Sequence, residues 1–320
     1  MSEENVLKVI VTGGAGFIGA NLLRELVDNP LMDELIAVDD LSTGSVDNLA
    51  DLPVRLLRGT VLDTKVLDEA LTGADCVVHL GALGSVPRSI DNPLASHHAN
   101  ATGTLMVLEA VRRHDVPHVI VASSSSVYGA NPILPRQETL RPMPVSPYAV
   151  SKLATEAYAL AHSSCYGHAV LAFRFFNVFG PRQAAHHAYA AVVPKFVSAA
   201  LAGQPLRIHG DGGQTRDFTY VGSVTSTIMD AIVRRVSAPD AVNLAFGARV
   251  SLLELVAELE SVLGRPLDRV HEPARPGDVR DSQADSSRLR ELFPSLRRYS
   301  MREGLEATVA WMSERVLAAH

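Results

Sequence analysis

Thr12-Gly13-Gly14-Ala15-Gly16-Phe17-Ile18-Gly19 decides the fold of this chain. It follows Val6–Val11, a short apolar run rich in β-branched residues, and leads into Phe17, Ile18, Leu22, Leu23 and Leu26 at helical spacing. Strand, glycine turn and helix are expected in that order. Two patterns overlap in the turn, Gly14-x-Gly16-x-x-Gly19 and Gly13-x-x-Gly16-x-x-Gly19. Glycines so spaced let the backbone turn tightly and let an anion approach the amides at the helix N-terminus, whose partial positive charge favours it.

The theme recurs. Strands are expected at Leu35–Val38, Val54–Leu57, Cys76–Leu80, His118–Ala122 and Ala169–Phe173, separated by helical stretches such as Leu94–Arg113 and Pro147–His162. Strands this apolar are buried on both faces. Their alternation with helices predicts the α/β class, a Rossmann-type doubly wound parallel sheet with its ligand crevice at the carboxyl ends of the strands. After Phe176, Pro181, Pro194, Pro205 and Gly210-Asp211-Gly212-Gly213 punctuate shorter elements, which suggests a smaller α/β lobe for substrate. Tyr220–Val236 is expected to return to the first lobe as a helix. Leu252–Leu263 and Met301–Val316 read as amphipathic helices of the second. The expected division is 1–176 with 218–247, and 177–217 with 248–320.

Asp39 ends the second expected strand, 20 residues after Gly19, where a carboxylate can accept hydrogen bonds from an adenosine ribose. Its charge repels a 2′-phosphate, and Asp40-Leu41-Ser42-Thr43-Gly44-Ser45 brings no Arg or Lys to neutralise one. NAD is therefore expected rather than NADP. Further along, Ser146-Pro147 offers a helix cap and first turn, and Tyr148-Ala149-Val150-Ser151-Lys152 sets a phenol and an ammonium one turn apart on one face. Such an ammonium, with the positive nicotinamide of NAD, would lower the phenol's pKa toward the working range of a general base. Ser123-Ser124-Ser125-Ser126-Val127-Tyr128-Gly129 follows the fifth strand, at the crevice.

Composition excludes several classes. The 320 residues are 47% hydrophobic and 20% charged, which is ample for a large core. The net charge of −6 leaves no broad basic footprint for nucleic acid. The start is acidic where a signal peptide is positive, and no apolar run approaches the roughly 18 residues of a membrane span. Cys76 and Cys165 are the only thiols and form no framework, so a cytoplasmic protein is expected. The 12 histidines show no metal-ligand spacing, and no metal is expected.

With these residues in hand, the chain resembles the extended short-chain dehydrogenase/reductases, and within them the NAD-dependent UDP-sugar 4-epimerases. Beyond the glycine turn and Tyr148/Lys152, the likeness rests on His79-Leu80-Gly81-Ala82 through Ser89, Arg174-Phe175-Phe176-Asn177-Val178-Phe179-Gly180-Pro181-Arg182, Gly210-Asp211-Gly212 to Arg216-Asp217-Phe218, and Arg275-Pro276-Gly277-Asp278. The resemblance implies that Tyr148 takes the proton of the sugar 4-hydroxyl, that Lys152 holds the nicotinamide ribose, and that Ser124 hydrogen-bonds the reacting oxygen. A 4-keto sugar would turn over in the pocket and be reduced on its opposite face. Coenzyme contacts are implied at Gly13, Gly16, Phe17, Ile18, Asp39, Leu41, Ser42, Thr43, Gly44, Thr60, Val61, Leu80, Gly81, Ala82, Asn100 and Phe175. The nucleotide-sugar would be held by Ser85, Arg88 and Ser125 near the hexose, Asn177 and Arg216 near the diphosphate, Val192 and Lys195 around the uracil, and Arg275 and Asp278 at phosphate and uridine ribose. A homodimer is implied as well, through helices near Leu94–Arg113 and Pro147–His162 packed as a four-helix bundle.

Related chemistries divide on few residues. Dehydratases of the family carry Asp-Glu where this chain has Ser125-Ser126, and UDP-glucuronate decarboxylases usually place a Glu beside the catalytic hydroxyl. Epimerases that exclude N-acetyl sugars resemble one another in placing a Tyr where this chain has Ser282, five positions after Gly277. UDP-GlcNAc/UDP-GalNAc is thus the expected pair, with UDP-Glc/UDP-Gal beside it. Two departures stand out. Thr60 replaces the usual Asp at the adenine amine, and Ala184-Ala185-His186-His187 replaces the usual Asp-Pro-Asn-type sequence. The competing reading from another class is a non-catalytic NAD sensor, which commonly lacks the Tyr-x-x-x-Lys pair.

Overall fold

A computed structural model describes residues 6–185, 190–273 and 280–318. The strands are β1 (Leu7–Thr12), β2 (Met32–Asp39), β3 (Arg55–Arg58), β4 (Cys76–His79), β5 (His118–Ser124), β6 (Ala169–Phe175), β7 (Val178–Phe179), β8 (Leu206–His209), β9 (Thr215–Arg216), β10 (Thr219–Tyr220), β11 (Val242–Leu244), β12 (Val250–Ser251) and β13 (Arg269–Glu272). Seven of them form one sheet in the order β3-β2-β1-β4-β5-β6-β11, every neighbouring pair parallel. The winding reverses between β1 and β4, which opens a crevice beyond their carboxyl ends. Strand β11 adds a seventh member to the six that the apolar runs predict.

Helices cover both faces of the sheet. They are α1 (Phe17–Val27), α2 (Thr64–Leu71), α3 (Val86–Asp91), α4 (Pro93–His97), α5 (Gly103–Arg113), α6 (Pro147–Tyr166), α7 (Val192–Leu201), α8 (Val221–Arg234), α9 (Leu252–Leu263), α10 (Ser287–Leu292) and α11 (Met301–Ala318). Successive residues of β1 point to opposite faces. Val9 and Val11 pack with Leu22, Leu23 and Leu26 of α1 and Ile228 of α8, while Ile10 packs with Leu71 of α2 and Val107, Leu108 and Val111 of α5. Covering on both sides is why the strands read as unbroken apolar runs rather than alternating ones.

A separate core forms from Phe179, Phe196, Leu206, Ile208, Leu255, Leu259, Leu305 and Met312, which draws α7, α9 and α11 around the short β8 and β13 pair. No helix among the described residues is long and apolar enough to cross a membrane.

One expected helix is not regular. The stretch Leu94–Arg113 is α4, then a π-helical turn at His98–Thr102, then α5. The wide turn aims Asn100 at the loop after β4, where its Oδ1 accepts the Leu83 N–H at 2.7 Å and its Nδ2 donates to Ser151 Oγ at 2.9 Å. Apolar periodicity alone cannot register such an insertion.

Candidate active site

The glycine turn is held from behind. Gly13 takes φ 70°, and a Cβ there would lie 2.8 Å from the Gly81 nitrogen. Gly16 starts α1 without any side-chain cap, so the first-turn amides are left to face the crevice. Thr12 Oγ1 stands 2.7 Å from His79 Nδ1 and accepts the Gly81 N–H at 3.2 Å. His79 Nε2 lies 3.1 Å from Thr104 Oγ1. Burial pushes the His79 pKa down to about 3, so this ring is a neutral strut. It ties Leu80-Gly81 to the glycine turn.

Asp39 closes β2 with both carboxylate oxygens engaged, Oδ2 accepting the Ala15 N–H at 2.9 Å and Oδ1 the Leu41 N–H at 2.8 Å. Burial raises its pKa, the amides of Leu41 and Ala15 draw it back, and Asp40 raises it again. Leu41 holds φ 61°, and a Cβ on Gly44 would lie 2.9 Å from the Ala15 carbonyl, so the loop packs closely on the glycine turn, but neither residue lines the crevice.

Ser146 caps α6 by accepting the Ala149 N–H at 3.2 Å, and Pro147 occupies the first turn. Tyr148 and Lys152 then project toward the end of β5. Ser124 Oγ accepts from Ser126 N–H at 3.1 Å and from Ser126 Oγ at 2.9 Å, and lines the same cleft as the Tyr148 phenol. Lys152 Nζ donates to the Ala122 carbonyl at 2.8 Å. Burial pushes the Tyr148 pKa up and the Ser124 hydroxyl pulls it partway back, while burial lowers Lys152 to about 8. The lowering of Tyr148 expected from Lys152 is not found: burial dominates, because both groups sit where charge is poorly solvated.

Most of the expected site residues share one cleft of about 1070 Å³. Gly13, Gly16, Phe17, Ile18, Asp39, Ser42, Thr43, Thr60, Val61, Leu80, Gly81, Ala82 and Phe175 line it together with Arg88, Ser124, Ser125, Tyr148, Lys152 and Asn177. Asn177 also lines a second cavity of about 460 Å³ with Val192, Lys195 and Arg216. Other expected residues lie elsewhere. Asn100 is fully buried in the contacts given above, and Ser85 caps α3 by accepting the Arg88 N–H at 3.2 Å. Ser282 lines neither cavity; its N–H donates to the Thr215 carbonyl at 3.2 Å. Arg275 and Asp278 fall outside the described residues, as does His186-His187.

The sequence reading passed over a buried ion pair under the site. Arg174 Nε and Nη2 donate to the two carboxylate oxygens of Glu156 at 2.9 and 2.6 Å, and Nη1 donates to the Tyr128 hydroxyl at 2.9 Å. Ser123 Oγ donates to Glu156 at 3.0 Å, one residue from Ser124. A signal was present: Glu156 lies one turn beyond Lys152 on its face of α6, and a lone arginine inside an apolar strand requires a buried partner.

Residues 9–245 match the family described as "NAD dependent epimerase/dehydratase family". A UDP-glucose 4-epimerase of Mycolicibacterium smegmatis is 35% identical over 315 residues, covering 95% of this chain and 97% of the relative. The structure of UDP-N-acetylglucosamine 4-epimerase from Methanobrevibacter ruminantium in complex with UDP-N-acetylmuramic acid superposes with a TM-score of 0.91 at 35% identity, over 97% of this chain and 99% of that one. UDP-glucuronic acid 4-epimerase from Bacillus cereus, in complex with UDP-glucuronic acid and NAD, gives a TM-score of 0.88 at 28% identity, over 97% and 100%.

Proposed function

The chain belongs to the NAD dependent epimerase/dehydratase family, and on that premise we propose that it inverts C4 of a UDP-hexose through a transient 4-keto sugar. UDP-GlcNAc and UDP-GalNAc are the proposed pair, with UDP-Glc and UDP-Gal accommodated beside them. The observation that carries the reading is that Ser124, Tyr148 and Lys152 line one cleft together with the glycine turn.

A dinucleotide fits the residues present. The uncapped amides of α1 suit its pyrophosphate, and any side chain at Gly13 would run into the Gly81 backbone. Asp39 would accept from the adenosine ribose, Thr60 and Val61 would face the adenine, and Phe175 would lie near the nicotinamide. NAD, when bound, supplies the reversible two-electron oxidation at C4. Tyr148, whose phenolate form the positive nicotinamide of bound NAD would favour against the effect of burial, would take the 4-hydroxyl proton as C4 is oxidised and return it on reduction. Ser124 would hold the reacting oxygen, and Lys152 would use the protons not spent on Ala122 to hold the nicotinamide ribose. The hexose would lie by Arg88, Ser125 and Ser85, the diphosphate by Asn177 and Arg216, and the uracil by Val192 and Lys195. We assign Arg275 and Asp278 to the uridine side and Ser282 to the space around the sugar 2-substituent.

Elimination is disfavoured. Among the described residues that line the cleft, the carboxylates are Asp39 and Asp40, both at the end of β2 rather than beside Tyr148. Two lobes, 1–176 with 218–247 and 177–217 with 248–320, and a homodimer through α5 and α6 complete the proposal. Leu105, Val150 and Tyr158 on those helices are exposed apolar residues, which supports the dimer. A cytoplasmic setting agrees with free thiols at Cys76 and Cys165.

The test is a coupled assay offering UDP-GlcNAc, UDP-Glc and UDP-glucuronate separately. We expect interconversion of the N-acetylated pair. Tyr148→Phe should lower turnover by about 10²–10⁴-fold, the usual contribution of a general base, with NAD content unchanged. Conversion of UDP-glucuronate alone would reassign the substrate, and full activity of the Tyr148→Phe protein would remove the mechanism.

A further inference from the structure

Arg182 sits in the turn after β7 and holds φ 66°, a conformation that residues other than glycine seldom adopt. The turn is fastened to the start of α1: Asn21 Nδ2 donates to the Pro181 carbonyl at 2.9 Å and to the Phe17 carbonyl at 2.8 Å, and Gln183 Nε2 donates to the Val178 carbonyl at 3.1 Å. The half-buried side chain lines the large cleft, as does Arg315 from α11, and neither lines the second cavity. The charged neighbours of Arg182 are Arg24, Asp51 and Arg315, with the Tyr220 phenol alongside. Asp51 is already committed to Arg24, whose Nη1 and Nη2 both donate to it. Among the described residues no carboxylate forms an ion pair with Arg182.

A half-buried guanidinium among other cations, with the nearby acid already engaged, is costly unless an anion joins it. The cleft offers one place for an anion beside α1, the N-terminal turn with its uncapped amides. We infer that Arg182, with Arg315 as a second cation, clamps the pyrophosphate of the dinucleotide from the side opposite the glycine turn, so that the turn after β7 and the last helix take part in holding the coenzyme. This rests on the NAD reading above. The UDP diphosphate is the less favoured anion, because two of the neighbours of Arg182, Arg24 and Asp51, lie on α1 and after β2, whereas Arg216 and Lys195 line the other cavity. A planar fork of donors suits either, but position favours the coenzyme.

The experiment is calorimetric titration of the full-length protein, freed of nucleotide, with NAD, ADP-ribose, adenosine and UDP. Arg182→Gln should weaken NAD and ADP-ribose alike by about 10–100-fold, the range for a lost charge-assisted hydrogen bond, and leave adenosine within about two-fold. Arg182→Lys should recover part of the loss, and the salt dependence of NAD binding should be shallower in Arg182→Gln than in the parent. Arg315→Gln should show a smaller loss of the same pattern. Unchanged NAD affinity in Arg182→Gln, an equal loss for adenosine, or a loss confined to UDP would each overturn the inference while leaving the proposed function standing. A parent protein that binds no NAD would overturn both.

Discussion

Replacing Glu156 by alanine isolates the Arg174 guanidinium inside the protein. The two side chains are 7% and 4% exposed, and the carboxylate accepts two bonds from Arg174 and one from Ser123. After the substitution Arg174 keeps only the Tyr128 hydroxyl and the Glu138 carbonyl, at 2.9 and 3.2 Å, neither of which carries a compensating charge. Stranding one member of a buried pair costs about 3–5 kcal/mol. At about 2.1 cal/mol/K of unfolding entropy per residue, 320 residues give roughly 1.5 °C per kcal/mol, so Tm should fall by roughly 4–8 °C. Circular dichroism melts and urea titrations of the parent, Glu156→Ala, Arg174→Met and the apolar double variant Glu156→Leu/Arg174→Met provide the comparison. The double variant should recover at least half of the loss, since it leaves no bare charge behind. A loss under about 1 kcal/mol for Glu156→Ala, the level of an exposed pair, would refute the reasoning, as would a double variant no better than the worse single one.

Gly19→Ala should cost about 1–3 kcal/mol in urea unfolding and abolish NAD retention, because the new methyl would overlap the Gly13 carbonyl oxygen and push the glycine turn out of shape. Ser282→Tyr should lower kcat/KM for UDP-GlcNAc relative to UDP-Glc by at least about ten-fold, a steric discrimination of roughly 1.4 kcal/mol; an unchanged ratio in the coupled assay would remove Ser282 from the specificity argument. Burial pushes the Asp217 carboxyl up to about 6, with the amides of Ala284, Gly247 and Ala248 drawing it back. Because the folded state then binds this proton more tightly than the unfolded one, stability falls as pH rises from about 4 to 6 and levels off above, by roughly 2–3 kcal/mol for this group. Subtracting urea curves of Asp217→Asn from those of the parent at intervals across that window should show the slope, and a flat difference would discount it.

Much of the site lies on local features, and those are legible in order along the chain. The glycine turn, Asp39 at a strand end, the serines after β5 and the Tyr148/Lys152 pair each sit where a strand meets the crevice, so spacing and alternation suffice to bring them together. The features that escaped the sequence depend on contacts between distant segments. Glu156 and Arg174 pair across α6 and β6, and the π turn that directs Asn100 to Leu83 leaves no mark on the apolar spacing. The rise that burial imposes on Tyr148 is likewise a property of the packed surroundings, and no spacing of Tyr and Lys encodes it.

The π turn at His98–Thr102 also sets where this chain can absorb a change of length. It accommodates one residue more than ordinary winding requires, so excising Ala99 would let the segment relax to a regular coil with α4 and α5 still in phase. The same excision within α5 would swing every later side chain by about 100° and turn Val111 off the sheet. The casualty at the wide turn would be local: Asn100 would rotate away from Leu83, and the loop after β4 would lose its anchor. An indel at this point edits the cleft rim while sparing the scaffold, which gives the fold a place to alter its substrate pocket without refolding its core.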